Sequence, residues 1–149
     1  MKKLNIIGVI YPIPKAILDR SLKNSDNVFI KNSVNDKKPI YLDSGSEIWF
    51  YVGSPYKKVF ARGIIKSIEV ISYKELIKKY GKKLMQKEEE IKNYCGKGFI
   101  DNLKKKTVYV INNLKSLNEG LNLPFPITMT GRYINKKEYL EIIKHGKKI

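Results

Sequence analysis

The sequence predicts an α+β fold: a curled, mostly antiparallel β-sheet flanked by short helices. Hydrophobic residues make up 42% of the chain, which suffices for one globular core. No linker or repeat divides residues 1–149 into more than one domain. The strand-like segments are not separated by regular crossover helices, which argues against a doubly wound parallel sheet. Gly63 interrupts the apolar alternation of the longest strand candidate, and such a bend lets a sheet curl.

The first third of the chain is predicted to form strand, helix and strand. Residues 3–11 (KLNIIGVIY) have the composition of a strand. Pro14 can occupy the first turn of a short helix that runs to about Lys23, because its missing N–H is not needed there. Residues 28–30 are predicted to form a brief strand, and residues 32–46 a polar loop.

A long hairpin is predicted in the middle of the sequence. Residues 48–52 (IWFYV) are aromatic and β-branched, as is typical of a strand, and Trp49 and its neighbours are expected to lie in the core. A turn is predicted at 53–57, followed by the longest strand candidate at 59–71.

Capping motifs mark two of the helices. Ser72-x-x-Glu75 and Asn135-x-x-Glu138 both have the spacing of an N-terminal capping box. Residues 87–95 (KEEEIKNYC) are predicted to form a further short helix.

Two strands are predicted in the last third of the chain. Residues 107–111 (TVYVI) have strand composition, and a final strand is predicted through 128–134, entered by an extended segment around Pro124 and Pro126.

The net charge of +16 points to a polyanionic partner, with nucleic acid as the first candidate. All but three of the 30 basic residues are lysines, spread evenly along the chain. An AT-rich genome would produce the same excess of Lys, Ile and Asn, so a functional and a compositional origin of the charge both stay open. Arginine is the residue preferred for forked phosphate contacts. The three arginines are therefore the more informative cations.

The sequence predicts neither a membrane segment nor a metal or cofactor site. No apolar run approaches the length of about 18 residues that spans a bilayer. One cysteine, Cys95, cannot form an internal disulfide, and we expect a cytoplasmic protein. Cys95 and the sole histidine, His145, lie far apart in sequence, which argues against a zinc site. His145 lies next to the C-terminus, which argues against a histidine-based catalytic triad. Nor is there a glycine-rich phosphate loop.

The hairpin turn is the first candidate binding site. Gly53 and Pro55 supply turn geometry, and lysines after a turn also keep an exposed sheet end soluble. The alternative interpretation is that the turn displays an aromatic side chain among cations, the combination that binds single-stranded RNA. The residues concerned are Tyr56, Lys57, Lys58 and, further along, Arg62.

The second candidate is the segment "TMTGRY", residues 128–133. Gly131 is expected to adopt a positive φ or to allow a close approach of the backbone. Arg132 and Tyr133, with Thr130, are candidates to frame a base or a phosphate, although Arg132 equally suits a surface ion pair. Lys15, at the start of the first helix, is a further phosphate candidate.

Several sequence motifs and the order of the predicted elements together resemble the PUA-like superfamily, which includes PUA, ASCH, EVE and YTH domains. Within it, the sequence is most similar to an uncharacterised archaeal family. The resemblance rests on "WFYVGSP" with "ARGII", on "TMTGRY", and on the order of elements from about Lys3 to Ile143. It implies a curled-sheet fold that recognises RNA, often through modified or flipped-out bases. Some ASCH proteins are amidohydrolases of modified nucleosides, but their signature Gly-x-Lys-x-x-Glu-x-Arg is absent from this sequence.

The preferred interpretation is therefore a cytoplasmic RNA-binding module without catalysis. Its expected partner is RNA, with transfer RNA, ribosomal RNA or a modified nucleoside as candidates. No membrane, metal or cofactor is expected. A small amidohydrolase acting on a modified nucleoside and a protein-interaction domain are the alternatives.

Overall fold

The structure, a computed structural model, describes residues 5–31, 39–87, 89–91, 105–128 and 131–146. The main elements in chain order are β1 (Ile6–Pro12), α1 (Lys15–Asn24), β2 (Val28–Ile30), β3 (Glu47–Val52), β4 (Lys58–Ser72), α2 (Tyr73–Tyr80), a 3₁₀ turn (Gly81–Lys83), β5 (Lys105–Leu121), β6 (Arg132–Asn135) and α3 (Lys136–Gly146).

The six strands form one sheet in the order β2-β5-β4-β3-β1-β6. Each neighbouring pair is antiparallel except β1 with β3, which run parallel. The predicted α+β class with a mostly antiparallel sheet is confirmed. The parallel pair is possible because a long stretch of chain, which includes α1, separates β1 from β3 in sequence and allows a crossover.

The sheet curls so that strands distant in its order face each other. Three strands separate β1 from β2, yet the ring centroids of Tyr11 and Phe29 are 5.3 Å apart. The hydroxyls of Tyr11 and Tyr109 are 2.6 Å apart inside the curl. Three shifts of register in the pairing of β4 with β5 supply the bends that a curled sheet needs.

One of these bends lies at Gly63, as the sequence predicts. The register of β4 with β5 shifts between Arg62 and Ile64. A Cβ on Gly63 would lie 2.5 Å from Cγ2 of Ile111 and 3.2 Å from the carbonyl oxygen of Asn112. Glycine is therefore required here because β5 packs directly on the backbone of β4.

The 48–52 run contributes to two apolar layers. Ile48, Trp49 and Phe50 are all 0% exposed, which confirms the predicted core position of this strand. Ile48 and Phe50 pack inside the curl, whereas Trp49 packs on the outer face with α3 residues such as Ile142. A strand buried on both faces explains the continuous apolar run in the sequence.

Both predicted helix starts are capped, with the complete capping box at Asn135 and the N-cap hydrogen bond at Ser72. Ser72 Oγ accepts a hydrogen bond of 3.2 Å from the backbone N–H of Glu75 at the start of α2. At α3, Asn135 Oδ1 accepts from the N–H of Glu138 at 2.8 Å, and Glu138 Oε1 accepts from the N–H of Asn135 at 3.0 Å. These bonds satisfy donors that the first turn of a helix leaves free.

The last strands differ from the prediction. β5 runs from Lys105 to Leu121, far beyond the predicted 107–111, and β6 begins at Arg132 instead of residue 128. The extension of β5 carries mainly polar, exposed side chains, so its composition does not indicate a strand. This part of the chain is a strand because it pairs with β4. Of the predicted helix 87–95, residues 89–91 are helical and residues 92–95, with Cys95, lie outside the described residues.

No helix within the described ranges is both long and apolar enough to cross a membrane.

Candidate nucleic-acid interface

The turn between β3 and β4 exposes an aromatic ring beside two lysines. The carbonyl oxygen of Gly53 accepts hydrogen bonds from the N–H groups of Tyr56 and Lys57, at 3.1 and 3.2 Å. The Ser54–Pro55 peptide bond is cis, and Lys57 has a φ of 54°. Tyr56, within this turn, is 47% exposed. The turn therefore presents a ring to solvent although the strands on either side are buried.

The start of α1 joins this turn. The N–H of Ile13 donates to the carbonyl oxygen of Tyr51 at 2.9 Å, which anchors the chain just before the helix. Lys15 then places its Nζ 5.5 Å from the ring centroid of Tyr56 and 5.6 Å from that of Phe60. The two rings meet edge to face, with centroids 5.7 Å apart. An ammonium at this distance is attracted by the ring faces.

We call this group the hairpin-end surface; its members are Lys15, Tyr56, Lys57, Lys58 and Phe60. Four of them are among the eight residues that the sequence predicted for the site. Phe60 was missed, because its place two residues into a strand indicates a core residue and its contact with Lys15 is not local.

Charge at the hairpin-end surface is only partly neutralised. Lys15 Nζ donates to Asp19 Oδ2 at 2.8 Å, and this hydrogen bond raises the pKa of Lys15. Lys58 Nζ donates to the carbonyl oxygen of Glu119 at 3.3 Å, which is a neutral acceptor. Lys57 and Lys58 have no acidic partner among the described residues. The surface therefore keeps positive charge available for an anion.

Arg62 lies apart from the hairpin-end surface. It faces the outer apolar layer, where its guanidinium carbon is 5.0 Å from the Trp49 ring centroid and 5.6 Å from that of Tyr139. Its Nη2 donates to Glu47 Oε1 at 2.5 Å and to the Tyr139 hydroxyl at 3.2 Å. Burial opposes its charge, but the hydrogen bonds to Tyr139 and Glu47 outweigh that effect and raise the pKa of Arg62. Arg62 thus ties α3 to the sheet.

The side chains of the predicted "TMTGRY" site do not point toward one common position in the described structure. Arg132 and Tyr133 are adjacent on β6 and point to opposite faces of the sheet. Arg132 stacks on Phe125, 3.8 Å from its centroid, and its Nη2 bonds to Glu138 Oε2 at 2.7 Å. Tyr133 packs on the inner core, with its ring centroid 5.5 Å from that of Tyr41. Thr130 lies outside the described residues.

Gly131 has the positive φ that the sequence predicts, 83°. The close approach that it allows is to β1 and not to an open cleft. A Cβ at this position would lie 2.6 Å from Cδ1 of Tyr11 and 2.8 Å from the carbonyl oxygen of Ile10. The glycine therefore serves the docking of β6 at the edge of the sheet.

All three arginines of the chain form ion pairs with glutamates. Nη2 lies 2.6 Å from the carboxylate in the pair Arg20–Glu90, 2.5 Å in Arg62–Glu47 and 2.7 Å in Arg132–Glu138. The hydrogen bonds from Arg20 lower the pKa of the Glu90 carboxyl. The arginines are therefore engaged in holding elements of the fold together, which leaves them less available than the exposed lysines for contact with an anion.

Among the described residues, no three His, Cys, Asp or Glu side chains come together in a group that would hold a metal ion.

Comparison with solved structures finds the same fold in the ASCH protein of Zymomonas mobilis. The crystal structure of that protein has a TM-score of 0.70 and 14% sequence identity, over 93% of this chain and 94% of the other. Its serine-to-alanine variant has a TM-score of 0.74 and 14% identity, over 95% of this chain and 98% of the other. Its tyrosine-to-phenylalanine variant has a TM-score of 0.72 at 14% identity, over 93% and 97%. At this identity the likeness establishes the fold alone.

Sequence comparisons give the family. No curated protein sequence matches this chain. The family model described as "Domain of unknown function (DUF365)" matches residues 6–136, from the first residue of β1 to the first residue of α3. This chain, with its ASCH-like curled sheet, belongs to the DUF365 family.

Proposed function

We propose that the protein binds single-stranded RNA at the hairpin-end surface, with lysines on the phosphates and a base stacked on Tyr56. The observation that carries the proposal is the meeting of Lys15, from α1, with the half-exposed ring of Tyr56 at the turn. Cations around an exposed aromatic ring are what single-strand binding requires, because every base has a face that stacks and every nucleotide carries a phosphate.

The same surface predicts the mode of recognition. Lysine is a flexible point charge, whereas arginine forms the planar fork that reads base edges. With the arginines paired to glutamates, the hairpin-end surface offers attraction and stacking but few directed contacts to a base edge. We therefore infer binding with weak sequence preference. Transfer RNA and ribosomal RNA, which both expose single-stranded loops, are suitable partners.

The fold agrees with this proposal. RNA recognition is what the resemblance to PUA-like proteins implies, and the ASCH-like architecture supports the superfamily on which that expectation rests. An archaeal origin for the family and a cytoplasmic location stay predictions.

Replacement of Tyr56 by Ala tests the proposal. We expect it to weaken binding of a fluorescently labelled oligouridine by about 1–3 kcal/mol, the contribution of one stacked base. Tyr56→Phe should keep most of the affinity, because the ring and not the hydroxyl carries the contact. Fluorescence anisotropy at fixed ionic strength measures both.

Tyr41→Ala is the matched control, since Tyr41 is 42% exposed but packs against Tyr133, which is not a member of the hairpin-end surface. If wild type, Tyr56→Ala and Tyr41→Ala bind the oligouridine with equal affinity, no base stacks on Tyr56 and the proposal is wrong.

A further inference from the structure

A cavity of about 360 Å³ lies beside the C-terminal end of α1. Its lining comes from three places in the fold: the last turn of α1 with the segment that leads into β2, Lys83 of the 3₁₀ turn, and residues 111–114 of β5. The volume falls in the range of small-ligand sites. The hairpin-end surface takes Lys15 from the opposite end of this ten-residue helix, about 15 Å away along its axis. The cavity therefore offers room for a second, small ligand.

Asn27 holds the walls of the cavity in place. Its backbone N–H donates to the carbonyl oxygen of Lys83 at 3.1 Å, and its carbonyl oxygen accepts from the N–H of Ile111 at 2.9 Å. The side-chain Nδ2 of Asn27 donates to the carbonyl oxygen of Ile111 at 3.0 Å. The Oδ1 atom of the same amide accepts no hydrogen bond from a described residue. The cavity is therefore preformed, and Asn27 brings an unused acceptor to it.

The end of α1 brings further acceptors to the cavity. The N–H groups of Ser25 and Asp26 both donate to the carbonyl oxygen of Ser21, the latter at 2.9 Å. The carbonyl groups of residues 22–24 accept no hydrogen bond from the described part of the chain. Unpaired carbonyl groups make the C-terminal end of a helix the negative end of its dipole. This side of the cavity therefore attracts a hydrogen-bond donor or a positive charge.

Asp26 places a carboxylate in the same wall. The residue is 4% exposed, and its Oδ2 lies 3.2 Å from the Nζ of Lys87. No described residue donates a hydrogen bond to its Oδ1. A buried carboxylate with one unused oxygen is incompletely compensated, because a charge removed from water needs several hydrogen bonds in return. A donor inside the cavity would supply them.

The bend of β5 adds two amide side chains, and the 3₁₀ turn adds a cation. Asn112 and Asn113 lie where the register with β4 shifts, and Asn113 has a φ of 54°, a conformation that asparagine tolerates better than most residues. Neither side chain forms a hydrogen bond with another described residue. Lys83 forms no ion pair with an acidic side chain in the described ranges. The cavity thus combines many acceptors with a single unpaired lysine.

We propose that this cavity binds a small organic molecule that carries a primary ammonium group. An ammonium donates three hydrogen bonds and accepts none, which suits Asp26, Asn27 and the carbonyl end of α1. Two kinds of molecule supply this group: a polyamine, and an amino acid whose carboxylate pairs with Lys83. The site does not depend on RNA binding, since the hairpin-end surface lies at the other end of α1.

Titration calorimetry with putrescine, ornithine and butanediol tests the site. Ornithine is putrescine with an added carboxylate, and butanediol replaces both ammonium groups of putrescine by hydroxyls. We expect at least one of the two amines to bind and butanediol not to bind. Tighter binding of ornithine identifies an amino acid as the ligand, and tighter binding of putrescine identifies a polyamine. Lys83→Met should weaken the binding of ornithine severalfold but not that of putrescine, because only ornithine has a carboxylate.

Two variants with opposite effects identify the carboxylate. Asp26→Asn keeps the shape of the side chain and should weaken amine binding at least tenfold. Lys87→Met should strengthen amine binding severalfold, because it removes the ammonium that competes for Asp26. Glu141→Gln, at an exposed position of α3, removes the same charge as Asp26→Asn and should leave binding unchanged. If the Asp26–Lys87 pair only stabilised the fold, the two variants would lower the melting temperature without opposite effects on binding.

The proposal is overturned if neither amine binds at millimolar concentration or if butanediol binds as tightly as putrescine. It is also overturned if Asp26→Asn folds and binds the amine as tightly as wild type. Should Asp26→Asn not fold, Lys87→Met decides, and binding that is not strengthened in that variant contradicts the proposal. Tyr56→Ala should not affect these titrations, so this site and the hairpin-end surface can fail independently.

Discussion

Phe50→Ala is expected to lower the free energy of unfolding by about 3–5 kcal/mol, the cost of deleting a buried aromatic ring. Phe50 is 0% exposed at the centre of β3 and meets Phe29 edge to face, with ring centroids 5.0 Å apart. Because Phe29 belongs to β2, this contact closes the curl between strands that are not neighbours in the sheet. Loss of the ring leaves a cavity where the two sides of the curled sheet meet.

Urea unfolding followed by circular dichroism measures the effect. Ile40→Ala is the control, since Ile40 is 84% exposed and its truncation should change stability by less than about 0.5 kcal/mol. Phe50→Leu, which keeps most of the volume, should cost under about 1.5 kcal/mol and so covers the case in which Phe50→Ala does not fold. A loss below 1 kcal/mol for Phe50→Ala, at about the level of a surface substitution, would contradict the packing described for the curl.

Neutralising the lysines of the hairpin-end surface should flatten the salt dependence of RNA binding. In the triple variant Lys15→Gln, Lys57→Gln, Lys58→Gln, the slope of log affinity against log salt should fall by about 2, because each lost phosphate contact with a single strand removes about 0.7. Arg62 is left unchanged, since it ties α3 to the sheet through Tyr139 and its loss would perturb stability.

A second triple variant separates this surface from the general charge of the protein. Lys74, Lys78 and Lys82 are exposed on α2 and the turn that follows it. Their replacement by Gln removes the same charge and should leave the slope nearly unchanged. Equal changes of slope in the two variants would mean that RNA is attracted by an even coat of lysines, as expected if the charge of +16 only reflects genome composition.

Features of the fold that depend on neighbours in sequence could be predicted from the sequence. The helix starts at Ser72 and Asn135 could be predicted because a capping residue and its partner lie only three residues apart in sequence. The turn before β4 and the bend at Gly63 were visible because few residues adopt those conformations or permit that packing. The buried strand around Trp49 was visible as an apolar run.

Features that depend on distant pairing could not be predicted. The polar second half of β5 is a strand only because β4 pairs with it, and the parallel pairing of β1 with β3 leaves no local signal. In the candidate site, Tyr56 and its lysines were found from the turn itself. The contact of Lys15 with Tyr56 joins residues 41 positions apart in sequence, so only the folded structure brings them together.

Chemical-shift mapping tests most directly whether RNA binds at the hairpin-end surface. We expect that titrating oligouridine into ¹⁵N-labelled protein shifts the amide signals of Lys15, Tyr56, Lys57, Lys58 and Phe60 first and most strongly, with those of α2 unaffected. Shifts confined to this surface would support a single-strand site built from an exposed ring and its lysines. Shifts scattered over lysines on all faces, or no shifts at low ionic strength, would contradict it.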